Sequence, residues 1–193
     1  MNQNKTQLDL FNNDWFDRGA SKFKIILWYY FNMLFFASRW MPLSSFKVFL
    51  LRLFGAKIGK GVVIKPFVNI KYPWRLIIGN DVWIGEQVWI DNLETVTIGN
   101  NVCVSQGAFL LCGNHNYKRN TFDLIAKQIK LEDGVWIGAK TVVCPGVICK
   151  SHSLLTVGSV ATSNLEPYTI YQGNPAKEVR KRIIKATNLY AQS

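Results

Sequence analysis

"LIIGNDVWIGEQVWIDNLETVTIGNNVCVSQGAFL" (76–110) decides the fold. Aliphatic residues recur in it at every sixth position, at Ile78, Ile84 and Ile90 and again at Ile98, Val104 and Leu110. The spacing runs back to Ile58, Ile64 and Ile70 and forward to Leu131, Ile137, Val143, Cys149, Leu155 and Ala161. Four residues after many of these stands a small or short side chain, among them Val82, Val88, Ala108, Thr141, Ser153 and Ser159. A period of six fits neither a helix of about 3.6 residues per turn nor the alternation of a hairpin protein. It fits a short strand and a corner, repeated, with one aliphatic side chain turned inward on each side. Three sides close a triangular coil of about eighteen residues, and parallel coils stack about 4.8 Å apart. Glycines directly after inward residues (Gly59, Gly79, Gly85, Gly99, Gly138) read as the residues of tight corners. The expected class is all-β, a parallel β-helix of about five coils over 57–166, between a helical segment (1–56) and a short tail (167–193).

The period also serves as a ruler. Inward positions group as 58–64–70, 78–84–90, 98–104–110 and 131–137–143, and every gap between groups exceeds six. Two extra residues follow Ile70, two follow Ile90, and the step from Leu110 to Leu131 carries fifteen extra. If each group is one coil, all three insertions leave the prism at one corner. Tyr72–Arg75, Asp91–Thr95 and the long loop 112–130 should then lie one above another. A regular prism has no cleft of its own, so this edge is where a site can be built. Asp91 and Asn92 are candidate acceptor-binding residues, and a carboxylate there could orient His115 in the loop.

The chain carries 23 Lys and Arg against 12 Asp and Glu, a formal charge of +11. Eleven of those cations and no acid fall between Arg18 and Asn80. An anionic partner follows: nucleic acid, a phosphate-bearing ligand or a membrane surface. "FKIILWYYFNMLFFASRWM" (23–41) is almost wholly apolar but slightly short for a span, and its mixed aromatics and cations suit an interfacial helix. The alternative is a helix that only caps the β-helix. "SSFKVFLLRLFGA" (44–56) reads as a second helix with a serine N-cap and a stop at Gly55. No cleavable secretory signal is expected, since Asp9, Asp14 and Asp17 precede the first apolar run. Cys103, Cys112, Cys144 and Cys149 lack a C-x-x-C spacing and read as reduced thiols of a cytoplasmic protein.

With the repeat, "GVWIGAKTVVCPGV" (134–147), "VGSVAT" (157–162) and "GNPAKEVRKR" (173–182) make the chain resemble the hexapeptide-repeat acyltransferases over residues 55–182. The stretch from Tyr72 to Asn116 is similar to their branch that acetylates sugars of colanic-acid-type exopolysaccharides. The resemblance implies a left-handed β-helix, acetyl-CoA as co-substrate without a metal, and a homotrimer with its CoA groove between prisms. "CGNHN" (112–116) is similar to the motif whose histidine is the general base, which implies that role for His115, with Asn114 beside the acceptor. Trp136 matches the tryptophan between donor and acceptor. CoA contacts carry over to Ala139, Val157, Thr162, Ser163, Lys177 and Arg180, with Gly138 and Gly158 admitting the ligand close to the backbone. A backbone N–H near Ala139 would meet the oxyanion. Cys149–Lys150 and Val157 depart from the isoleucine–glycine and alanine usual at those places, which bears on fine CoA geometry.

The reading is thus an O-acetyltransferase acting on a sugar or lipid-linked oligosaccharide at the inner face of the plasma membrane. Another small-sugar or antibiotic acetyltransferase of this fold, and a non-catalytic basic scaffold, are the alternatives. Nucleic acid is not the expected partner. A γ-type carbonic anhydrase needs three zinc-binding histidines, and only His115 and His152 exist. His152 lies in a regular hexad and reads as a solvent-facing structural residue. Cys112, three residues before His115, opens a covalent Cys–His route.

Overall fold

A computed structural model describes residues 5–186. Each side of the triangular coil gives one strand to one of three faces. The first face stacks Lys57–Ile58, Leu76–Ile78, Val96–Ile98, Ile129–Leu131 and Ile148–Cys149 in parallel. The third stacks Asn69–Ile70, Trp89–Asp91, Phe109–Leu111, Val142–Val143 and Val160–Ala161. The second, from Val63–Ile64 through Trp136–Ile137 to Leu154–Leu155, gains a further strand at Thr169–Gly173, against which Ala176–Lys181 folds back antiparallel. Much of the expected tail is therefore sheet; residues 1–4 and 187–193 lie outside the described residues.

Register pairs like with like: Ile58 with Ile78, Ile84 with Val104, Ile90 with Leu110, Val143 with Ala161. The inward aliphatics from Ile64 to Ala161 are buried, and so are the short residues four positions on, from Val62 to Ser159. The turn of each corner falls three residues after the inward one, where the backbone is left-handed: Gly61, Phe67, Asp81, Gln87, Asn101, Gly107, Gly134, Lys140, Gly146, His152 and Gly158. His152 is thus a half-buried corner residue, stacked on Tyr168 at 4.7 Å. The glycines next to inward residues serve differently from what the sequence predicts. Gly85 has no positive φ; a Cβ there would lie 2.6 Å from the backbone nitrogen of Gln106 in the next coil. Gly59, Gly79, Gly99 and Gly138 show the same close approach, so glycine sets rung spacing here rather than turn hand.

The first coil has no rung beneath it, and its backbone groups need partners. Two helices supply them, α1 (Lys22–Phe31), continued by a π-turn over Asn32–Phe36, and α2 (Ser44–Leu53). Arg52 donates to Ile58 O and Gly59 O on the first face. On the second, Ser44 Oγ accepts from Ile64 N at 3.0 Å, while Lys47 Nζ donates to Lys65 O at 2.9 Å. On the third, Trp28 Nε1 donates to Ile70 O at 2.8 Å and Asn32 Oδ1 accepts from Ile70 N. Ser44 thus bonds the sheet instead of capping α2, whose N-cap is Leu43. The helices cap the prism, yet α1 also shows solvent an apolar stripe: Phe23, Ile26, Leu27 and Tyr30 are exposed at helical spacing, as is Leu34 on the π-turn after it. No described helix is long and apolar enough to cross a membrane.

Candidate active site

The three insertions do stack at the corner between the third and first faces. Asn92 Oδ1 accepts from Tyr72 N at 2.9 Å, Arg75 donates to Leu93 O, and Cys112 N donates to Asp91 O at 3.3 Å. From this corner the long loop projects as an antiparallel hairpin, Gly113–His115 against Leu124–Ala126. Its outer turn is braced on Asp123, whose carboxylate accepts from Thr121 Oγ1 and from Arg119 at 3.1 Å. Those bonds, Thr121 foremost, hold the Asp123 pKa below its ordinary value.

His115 is half-buried, and three groups fix its ring. Nδ1 lies 2.8 Å from the carbonyl oxygen of Phe122. A carbonyl only accepts, so Nδ1 carries the proton and the neutral ring keeps its lone pair on Nε2. Phe122 reaches that geometry with φ +52°, a left-handed backbone uncommon for a bulky residue. Its ring stacks on the imidazole, centroids 4.4 Å apart and nearly parallel. Phe11 packs edge-on to His115 at 5.6 Å. Phe11 belongs to an arm that sequence reasoning passed over. Gln7 N donates to Asn120 O at 2.8 Å, Trp74 Nε1 donates to Arg18 O at 2.8 Å, and Arg75 lies over the Phe16 ring. The arm straps the insertion edge along its length.

Two expectations for this edge are corrected. Asp91 does not orient His115; it pairs with Lys71 at 2.8 Å, and the orienting acceptor is the Phe122 carbonyl. Asn92 is fully buried and bonds both backbone groups of Tyr72, so it holds the corner instead of presenting itself to a ligand. Asn114 is exposed beside the His115 ring, its Oδ1 accepting from His115 N at 2.8 Å. Cys112 is buried, and desolvation pushes its thiol pKa up to about 12.

The other candidates lie elsewhere. Trp136 projects from the second face, its Nε1 donating to Ser105 Oγ at 3.0 Å. It lines a groove of about 490 Å³ with Gly138, Ala139, Val157 and Arg180, among residues that include Gln106, Thr156 and Ile170. Gly138 is buried, and a Cβ there would meet Leu155 O at 2.6 Å. Gly158 N donates to Ala139 O at 2.9 Å, linking the two corners that bound the groove. Lys177 lies on the same antiparallel strand as Arg180 but outside the groove. Thr162 and Ser163 follow Val160–Ala161 of the third face and so stand on the His115 edge. Within one chain, then, the edge with His115, Thr162 and Ser163 lies opposite the face with Trp136 and the groove. Among the described residues no three metal-ligating side chains cluster.

No protein-family model matches the chain. WcaF of Escherichia coli (strain K12), named as an acetyltransferase of colanic acid biosynthesis, is 36% identical over 168 residues, 86% of this chain and 91% of that protein. Among solved structures, galactoside acetyltransferase in complex with coenzyme A gives a TM-score of 0.72 at 23% identity, over 82% of this chain and 80% of that one. The acetyltransferase VCA0836 of Vibrio cholerae, complexed with acetyl coenzyme A, gives 0.70 at 24%, over 76% and 81%. What these two share with the chain is the fold, the left-handed parallel β-helix. Together with WcaF's identity across nearly the whole of both sequences, this makes the chain a member of the hexapeptide-repeat acetyltransferases.

Proposed function

We propose that the chain transfers an acetyl group from acetyl-CoA to a sugar hydroxyl in exopolysaccharide biosynthesis, with His115 Nε2 as general base. The observation that carries the reading is the 2.8 Å contact of His115 Nδ1 with the Phe122 carbonyl, which calls for a proton on Nδ1 and leaves the lone pair on Nε2. In this reading Nε2 takes the proton of the hydroxyl as its oxygen attacks the thioester carbonyl. A backbone N–H near Ala139 receives the oxyanion, and the C–S bond then breaks. The proton passes from the imidazolium to the departing CoA sulfur, and the base is restored. Asp91 and Asn114 are the acceptor-side residues of this reading; Arg180 and Lys177 are its phosphate partners.

His115 and the groove lie on opposite sides of one prism, which supports a site between prisms. A homotrimer in which one protomer's second face meets its neighbour's insertion edge would bring Trp136, Gly138, Ala139, Val157, Gly158 and Arg180 to the partner's His115, Thr162 and Ser163. The WcaF likeness favours an exopolysaccharide acceptor, and the basic N-terminal segment favours a lipid-linked one at the inner face of the plasma membrane. CoA release with cell-derived lipid-linked oligosaccharides, read together with an acetyl mass shift on the sugar, tests the reaction. Acetylation of none of them, or full activity of His115→Ala, refutes the assignment. Inactive His115→Ala mixed with a groove-blocking variant such as Val157→Trp should regain activity in mixed trimers.

A further inference from the structure

We infer that the outer stripe of α1, with the cations around it, seats the first-coil end of the prism on an anionic lipid bilayer. This rests on the proposed function only for its use to the enzyme; the surface itself is argued from the helix. A surface helix of a soluble domain carries polar residues opposite its buried face. Here Trp28 and Phe36 are buried against the cap, while Phe23, Ile26, Leu27, Tyr30 and Leu34 run along the outside. Phe23, Ile26, Leu27 and Tyr30 are related as i, i+3, i+4 and i+7 within α1, so they form one stripe with no charge in it, and Leu34 on the π-turn is exposed after them. Tyr29 and Trp40 are exposed beside it, the amphipathic aromatics that sit at headgroup depth.

Charge selects the occupant. Lys22 and Lys24 lie in the first turn of α1, Arg18 and Arg39 lie before and after it, and Lys57, Lys60 and Lys65 belong to the first coil, with no acid between Arg18 and Asn80. Two copies of this end would repel each other, whereas an anionic headgroup layer would attract each cation near it. α1 has 10 residues, so it lies on the bilayer and does not cross it. Seated so, the root of the His115 loop stands two rungs beyond the first coil, roughly 10 Å further from the lipid at about 4.8 Å per rung. The reactive hydroxyl is therefore one carried clear of the headgroups by the sugars between it and the lipid.

The test uses the full chain and point variants, because deleting the helices would also uncap the prism. Sedimentation with phosphatidylglycerol–phosphatidylcholine vesicles should pellet the wild type, with pure phosphatidylcholine at least about tenfold weaker. Phe23→Ser/Ile26→Gln/Tyr30→Gln should lower partitioning by roughly a hundredfold. Lys22→Gln/Lys60→Gln should lower it about tenfold on the anionic vesicles alone. CoA release with a water-soluble acceptor should not change in either variant. Wild type that stays in the supernatant, or a stripe variant that partitions unchanged, overturns the inference. So does a stripe variant that becomes a smaller oligomer by light scattering, which would mean that a second copy covers the stripe. Vesicle binding without acetyl transfer would refute the proposed function and leave this surface standing.

Discussion

Cys112 and His115 lie three residues apart on the same loop, and their two routes to acetyl transfer can be separated by substitution. Desolvation puts the Cys112 thiol at about 12, so at pH 7 only about one molecule in 10⁵ holds the thiolate a covalent route requires. The side chain is buried, and its Sγ faces Glu94 O at 3.6 Å, on the corner and not towards the loop's open side. Cys112→Ala should thus cost only a small cavity, about 1 kcal/mol of stability, and leave kcat within about threefold. On the proposed reading His115→Ala removes the general base, a contribution of typically 10²–10⁴ in rate. Initial rates of CoA release, with urea denaturation of both variants, read the two effects separately. A folded Cys112→Ala protein that loses activity a hundredfold while His115→Ala stays active would refute the reasoning. An acetyl adduct on Cys112 in intact mass spectra would do the same.

Phe11→Ala removes the edge contact on the imidazole and should lower kcat roughly tenfold at unchanged KM for acetyl-CoA; Phe11→Leu should restore most of it, and equal rates for all three would remove the arm from the site. Gly85→Ala forces a Cβ to 2.6 Å from the Gln106 nitrogen and should destabilise by about 1–3 kcal/mol in urea; a neutral result would show that the rungs can spread. Trp28→Phe strips the donor from Ile70 O and should cost about 1–3 kcal/mol, read as a lower denaturation midpoint. Burial lowers the Lys47 pKa from 10.5, so the folded chain gives up this proton before the unfolded chain does. Its burial cost is fully present below the depressed pKa and fades as pH rises from there to 10.5. The stability of wild type relative to Lys47→Met should climb across that interval, and a flat difference would contradict it.

The coils were legible because one side chain per side must point inward, which writes the period directly into Ile78, Ile84, Ile90 and their successors. Counting sixes also located the stacked insertions, since an insertion in a strict repeat can only leave at a corner. What the count could not supply was the partner of each polar group on that edge. Asp91 stands near the loop in sequence register, but Lys71 on the neighbouring rung is within 2.8 Å and takes it. The acceptor that orients His115 is a main-chain carbonyl, and only the left-handed φ of Phe122 aims it. No residue type announces that conformation when the residue is phenylalanine. The arm was missed for a related reason: Phe11 reaches His115 across more than a hundred positions, and no periodicity links them. The outward stripe of α1 was hidden too, because a run apolar on every side does not say which side meets the prism.

A parallel β-helix has no intrinsic length. Any end rung is a template for another strand, from its own chain or from a second one. At the start of this prism the template is blocked on all three faces, by Arg52, by Ser44 with Lys47, and by Trp28 with Asn32. At the far end of the second face, Ala176–Lys181 runs backwards and carries Lys177, Glu178, Arg180 and Lys181. Reversed direction and dense charge both discourage a further parallel strand. The helices that resemble an appendage in the sequence thus make the coil count a fixed number. A chain beginning at residue 57 would keep every hexad and leave the first rung as an open template for another strand.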